Sequence, residues 1–211
     1  MSNKWTVKRY ISKAIESNCY LATNENYSFI IDPSVTYNDI KKDIKGKLVG
    51  ILITHGHFDH FYEIKTYLDI PNILFYCHER AIKKLENGLI NYSRIYGVKY
   101  EIKTDERFIK VRDGRLVIND NLFIDVIETP GHSDCSVCYL IDDLLFTGDF
   151  IFKNSIGRTD LQTGNDVMMK LSIDKIKEDD RLKKYFDYVI YPGHEEITTL
   201  NDEFKYNPYL K

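Results

Sequence analysis

The sequence has little of three features that would restrict its class at once: cysteine, long apolar runs and net charge. Its 4 cysteines among 211 residues are too few for a disulfide scaffold. No apolar run approaches the length of a membrane span, and the amino terminus lacks the apolar core of a signal peptide. We therefore expect a cytoplasmic protein that has no membrane partner.

The pair formed by Cys135 and Cys138 is a CxxC motif inside an apolar, strand-like run. No second CxxC accompanies it, so burial in the core is a better interpretation than a zinc or redox site. A net charge of -3 gives no electrostatic reason to expect a nucleic-acid partner. We expect a small-molecule substrate and no nucleic-acid partner, and the oligomeric state stays open.

Strand-like runs recur along the whole chain, and no linker rich in proline, glycine or serine divides it. We therefore predict a single domain over residues 1–211. The predicted strands are Val7–Ile15, Cys19–Ala22, Tyr27–Ile31, Leu48–Ile53, Ile73–Cys77, Leu116–Ile118, Leu122–Glu128, Ser136–Ile141, Leu144–Thr147 and Tyr188–Tyr191. The predicted helices are Thr36–Lys45, Phe61–Leu68, Glu79–Leu85 and Asp166–Ile176. Two strand-rich halves with interspersed helices predict an α/β fold, an αββα sandwich of two mixed sheets.

The strongest functional signal is the run Thr-His-Gly-His-Phe-Asp-His at residues 54–60, directly after the apolar strand Leu48–Ile53. Three more strand-like runs end in similar side chains. Carboxyl ends of strands gather functional loops in layered α/β folds, so these side chains are expected at one rim. The candidate metal ligands are His55, His57, Asp59, His60, His132, Asp149 and His194.

Imidazole and carboxylate ligands without thiolates suit zinc, iron or manganese. Seven ligands are too many for one tetrahedral ion, so we predict two divalent ions, with zinc preferred over iron or manganese. A carboxylate can bridge two cations, whereas imidazole normally serves one. The pattern thus predicts a dinuclear site with a bridging aspartate.

These motifs resemble the metallo-β-lactamase superfamily, and within it the glyoxalase II-like (hydroxyacylglutathione hydrolase-like) branch. The resemblance runs nearly end to end. Besides residues 54–60 it includes Asn18–Tyr20, Thr129–His132, Leu145–Asp149, Ser155–Asp160, Tyr191–His194 and Asn207–Leu210.

The resemblance implies a division of the ligands between two ions. His55, His57 and His132 would hold the first ion, Asp59, His60 and His194 the second, and Asp149 would bridge them. Asp59 would also be a catalytic residue that orients the nucleophile. The activity expected is hydrolysis of a small thioester through a metal-bridging hydroxide, because a thiolate leaves without protonation by a general acid.

Alternative activities remain open within the same superfamily. The stretch Gly157–Asp160 is shared with persulfide dioxygenases that use a single iron, and a lactonase or another ester hydrolase also fits the chemistry. Arg158 is a candidate for holding an anionic substrate group, but an ion pair with Asp160 explains it equally well. His78 is interpreted as a helix cap or a solvent-facing residue, and Glu195 stands where the family usually has glycine.

Overall fold

A computed structural model describes residues 4–183 and 187–211, so the signal-peptide prediction partly concerns residues outside the described part. The chain divides into two compact units, Met1–Val111 and Arg112–Lys211. In the described part, no helix is long and apolar enough to cross a membrane.

The first unit contains a six-stranded mixed sheet whose strands follow one another in chain order. The strands are β1 (Thr6–Ile11), β2 (Asn18–Thr23), β3 (Tyr27–Ile31), β4 (Lys47–Ile53), β5 (Phe75–His78) and β6 (Phe108–Val111). The pairs β1–β2 and β2–β3 are antiparallel, whereas β3, β4, β5 and β6 run parallel. The carboxyl ends of these four parallel strands therefore lie at one edge of the sheet.

Much of the helical structure in the first unit is 3-10 rather than α-helical. It consists of α1 (Tyr37–Ile40), α2 (Glu79–Leu85) and four 3-10 helices, Lys41–Asp43, Phe58–His60, Ile64–Tyr67 and Ser93–Tyr96. The predicted helix Thr36–Lys45 breaks into α1 and a 3-10 turn. Gly46 then redirects the chain at a φ of +59°, where a Cβ would lie 2.2 Å from the Asn26 backbone.

The predicted helix Phe61–Leu68 is wrong, because only a 3-10 helix forms there. Phe61, Ile64 and Tyr67 are all fully buried. Their spacing of three residues fits the three-residue turn of a 3-10 helix, which aligns such side chains on one side.

The second unit contains another six-stranded mixed sheet, in the order β14-β13-β10-β9-β8-β7. The strands are β7 (Gly114–Asn119), β8 (Leu122–Glu128), β9 (Val137–Ile141), β10 (Leu144–Gly148), β13 (Val189–Pro192) and β14 (Thr198–Thr199), and a short hairpin joins β11 (Ile151–Phe152) to β12 (Ser155–Ile156). Among the described strands of this sheet, only β10 and β13 pair in parallel.

The described part of the second unit also contains the helices α3 (Asp166–Glu178) and α4 (Leu200–Tyr206). Met169, Ile173 and Ile176 recur at helical spacing on α3 and belong to the buried core of this unit. Two mixed sheets with helices agree with the predicted fold class. The sequence did not predict β6, the short strands β11, β12 and β14, or α4.

Candidate functional site

The first unit gathers four of the predicted ligands in the loop after β4. We call them the amino-terminal donor set: His55, His57, Asp59 and His60. The ring of His55 lies 4.6 Å from the ring of His57 and 4.1 Å from that of His60, measured between centroids. Asp59 Oδ2 lies 3.5 Å from His60 Nε2. All three histidines are buried.

Asp32 organises this donor set and was missed by the sequence analysis. It follows β3, and because β3 and β4 are parallel neighbours, residues after both strands meet at the same sheet edge. Its Oδ1 accepts a hydrogen bond from the Thr54 amide at 2.8 Å, and its Oδ2 accepts one from the Thr54 hydroxyl at 2.7 Å. His60 Nδ1 lies 2.9 Å from the same Oδ2.

These contacts select the tautomers of two histidines. Because Asp32 is a carboxylate acceptor, His60 donates from Nδ1 and keeps its lone pair on Nε2. The Thr54 hydroxyl donates to Asp32, so its oxygen accepts from His55 Nδ1 at 3.1 Å. His55 then also presents a lone pair at Nε2. Such fixing of ring orientation by outer contacts is usual around protein metal ligands.

The nitrogens of His55 and His57 converge at short range. His55 Nε2 and His57 Nδ1 are 3.1 Å apart. In the absence of an ion, this contact needs a proton on one of the two nitrogens, whereas a cation would use the lone pairs of both. The geometry therefore suits shared coordination.

The second unit places the other three predicted ligands around one carboxylate. We call His132, Asp149 and His194 the carboxy-terminal donor set. Asp149 Oδ2 lies 3.4 Å from His132 Nε2 and 3.7 Å from His194 Nε2. His132 Nδ1 donates to the backbone oxygen of Arg158 at 2.8 Å, which leaves the lone pair on Nε2.

Strand pairing explains why these three residues meet. The parallel strands β10 and β13 pair Gly148 with Pro192, so Asp149 and His194 follow neighbouring strand ends. Gly148 turns the chain at a φ of +51°. Gly157 passes so close to Asp149 that a Cβ would lie 1.8 Å from the Asp149 backbone oxygen.

Arg158 is held by Asp160 in this structure. Its Nε and Nη2 each donate to one Asp160 oxygen at 2.7 Å, and both side chains are exposed. This hydrogen-bonded guanidinium lowers the pKa of Asp160 to about 2. The ion-pair interpretation thus describes the observed contact, and a substrate role for Arg158 stays a prediction.

Other predicted residues occupy structural positions. His78 caps α2, because its Nδ1 accepts a hydrogen bond from the Arg80 amide at 3.1 Å. Cys135 and Cys138 are buried, and burial raises the pKa of the Cys138 thiol to about 12. Glu195 has a φ of +63°, a conformation that favours glycine.

Comparison with known proteins identifies the family. Residues 13–194 match the metallo-beta-lactamase superfamily. The chain belongs to this superfamily. The match extends through both units and includes all seven predicted ligands.

Named relatives agree with this assignment. The chain is 32% identical to the probable metallo-hydrolase YqgX of Bacillus subtilis, over 98% of this chain and 97% of that protein. It is 31% identical to the probable metallo-hydrolase MJ0888 of Methanocaldococcus jannaschii, over 86% and 88%. The family and these relatives make the chain a metal-dependent hydrolase.

Solved structures agree with the fold. The BLEG-1 B3 metallo-beta-lactamase superposes with a TM-score of 0.85 at 28% identity, covering 98% of this chain and 100% of that one. TTHA1623, crystallised in a di-iron-bound form, gives a TM-score of 0.78 at 24% identity, covering 96% and 100%. The metallo-β-lactamase fold predicted from the sequence is therefore confirmed.

Proposed function

We propose that the chain binds two divalent metal ions, zinc in the first instance, and hydrolyses a small thioester. The family assignment specifies neither a branch nor a substrate. The glyoxalase II-like branch and the thioester substrate both come from the resemblance of the sequence motifs. The observation that carries the proposal is the position of Asp149 Oδ2 between two imidazole nitrogens in the second unit. A carboxylate in that position is suited to serve two ions at once.

The ligand assignment joins the two donor sets. His55, His57 and His132 would hold one ion, Asp59, His60 and His194 the other, and Asp149 would bridge them. Support comes from the family match, which covers both units, and from the donor chemistry within each unit. On this proposal, residues 1–211 act as one functional domain.

The donors present are chemically suited to such ions. All seven are imidazoles or carboxylates, which zinc, iron and manganese accept. Two bound divalent cations would supply a hydroxide near neutral pH and stabilise the oxyanion of a tetrahedral intermediate. In the chain itself, Asp32 and the Arg158 backbone oxygen hold the histidine tautomers that such binding requires.

Thioester hydrolysis places the smallest demand on the chain's own side chains. A thiolate leaves without protonation, so the site needs no general acid at the leaving group. Asp59 would have two roles in this reaction. Its carboxylate would hold one ion and orient the attacking oxygen.

Metal analysis and a substrate panel test this proposal. We expect two ions per chain and turnover of thioesters spanning several thiol carriers. The panel should also include esters, lactones and β-lactams, the last because BLEG-1 is named as a metallo-β-lactamase. Asp59→Ala should abolish hydrolysis and leave the fold intact, since it removes a metal ligand and no core volume. Asp69→Ala, at an exposed aspartate ten residues further on, is the matched control.

Three results would contradict the proposal. One iron per chain, with oxygen consumption on glutathione persulfide, would replace it with the dioxygenase alternative. Turnover of lactones or other esters but of no thioester would replace the proposed thioester substrate with an ester or a lactone. Two bound ions without turnover anywhere in the panel would indicate a binding protein built on this fold.

A further inference from the structure

Tyr92 lies against a proposed metal ligand. Its ring centroid is 4.8 Å from that of His57, and the two planes are inclined at 71°, an edge-to-face contact. The residue is 8% exposed. Tyr92 lies on the segment between α2 and β6, where the sequence predicted no element. The contact with His57 therefore depends on the tertiary structure.

Two features of Tyr92 are energetically unfavourable. Its backbone has a φ of +68°, the left-handed conformation that a bulky residue other than glycine rarely adopts. Its hydroxyl oxygen is buried and, among the described residues, has no hydrogen-bond partner. A phenylalanine would avoid the second cost, and a glycine the first. Strained residues of this kind concentrate at functional sites.

The hydroxyl is not the atom that meets a substrate in this conformation. It exposes less than 1 Å². The part of Tyr92 that contacts the donor set is therefore its ring.

The segment that carries Tyr92 is hydrogen-bonded to the ligand loop. The Phe58 amide donates to the Asn91 backbone oxygen at 3.0 Å. Asn91 is fully buried, and its side chain donates to the Tyr100 backbone oxygen at 2.8 Å and accepts from the Ser93 amide at 2.9 Å. The residue before Tyr92 is thus hydrogen-bonded to the ligand loop, and the Tyr92 ring contacts His57.

We propose that Tyr92 is a positioning residue for His57. Its ring limits rotation of the imidazole, so that His57 Nδ1 stays directed toward His55 Nε2. The inference rests on the proposed function only in treating His57 as a metal ligand. It requires nothing of the substrate.

Two substitutions separate the ring from the hydroxyl. Tyr92→Phe keeps the ring and removes the unsatisfied hydroxyl, so the metal-free protein should melt about 2–4 °C higher, with metal affinity unchanged. Tyr92→Leu removes the edge-to-face contact, and metal affinity should fall about 10–100-fold, the usual effect of losing a support of a metal ligand. The Co(II)-loaded Tyr92→Leu protein should show an altered visible absorption spectrum, and Tyr92→Phe the wild-type spectrum.

Tyr76→Leu, at another buried tyrosine, is the matched control. It should lower the melting temperature and leave metal affinity and the Co(II) spectrum unchanged. Affinities are measured by chelator competition, without substrate.

Wild-type affinity and spectrum in Tyr92→Leu would overturn the inference. So would slower turnover in Tyr92→Phe at unchanged metal affinity, because the hydroxyl would then carry the role. If the wild type binds two ions but hydrolyses no thioester, the proposed substrate fails while the metal measurements still decide the role of Tyr92. If the wild type binds no metal, both proposals fall.

Discussion

Asp32 shows how much one carboxylate can organise. Its two oxygens accept from the Thr54 amide, the Thr54 hydroxyl and His60 Nδ1, and through Thr54 it also sets the tautomer of His55. It is 2% exposed, so these hydrogen bonds form away from water. The sequence offered a signal, because Asp32 follows a strand-like run as the predicted ligands do.

Asp32→Asn should weaken metal binding about 10–100-fold. One carboxylate oxygen becomes an amide nitrogen, which then faces either the Thr54 amide at the Oδ1 position or both the Thr54 hydroxyl and His60 Nδ1 at the Oδ2 position. Chelator competition measures the change, and Asp69→Asn, at an exposed site, is the control. An unchanged affinity would show that the histidine tautomers do not depend on Asp32.

At the scale of elements, the strands followed the sequence more closely than the helices did. The predicted strands Tyr27–Ile31 and Leu122–Glu128 match β3 and β8 at both ends, because β-branched and aromatic runs bounded by turn residues are local signals. The helix predicted over Phe61–Leu68 failed because amides in this stretch bond three residues back rather than four, as Ile64 does to Phe61 and Thr66 to Glu63.

The carboxyl end of α3 is fastened to the second sheet by Arg181. Its guanidinium donates to Asp179 Oδ1 at 2.8 Å, to Asp113 Oδ1 at 3.1 Å and to the Val126 backbone oxygen at 3.0 Å. Burial alone would raise the pKa of Asp179, but the hydrogen bonds and charge of Arg181 lower it below its usual value. Folding therefore favours the ionised carboxylate.

Arg181→Met should lower the free energy of unfolding at pH 7 by about 1–3 kcal/mol, since hydrogen bonds to charged groups are lost. A lowered pKa in the folded state gives stability above the unfolded-state value of about 3.9, which is lost as pH falls through the folded-state value. The difference from wild type should thus shrink below about pH 4. Urea unfolding at several pH values measures it.

Arg115→Met is the control for Arg181→Met. Arg115 pairs with Asp125 but is more than half exposed, so its loss should cost at most about 1 kcal/mol. A difference between Arg181→Met and wild type that does not shrink at all as the pH falls below 4 would assign the effect to packing rather than to the ion pairs.

At the scale of the whole molecule, metal binding and stability should be coupled. An ion that binds only the folded chain stabilises it by about 2.7 kcal/mol per site at 100 times its dissociation constant. For a chain of this length, that is an increase of roughly 5–10 °C in melting temperature. Calorimetry of chelator-treated protein, before and after zinc is added, measures the shift.

Asp149→Ala distinguishes a bridging ligand from an ordinary one. If Asp149 serves both ions, its loss should remove most of the zinc-dependent increase in melting temperature. Asp59→Ala should remove only the part that belongs to one ion. Equal effects of the two substitutions would contradict the bridging assignment.

The sequence by itself determined the strands and predicted the donors that follow them, because a polar side chain after a strand is a local pattern. Only the tertiary structure decided what surrounds the donors. Asp32 reaches His60 across 28 positions, Tyr92 reaches His57 across 35, and the Arg158 backbone oxygen reaches His132 across 26. Such contacts depend on which strand ends become neighbours and on how the backbone turns between them, and no local spacing encodes either.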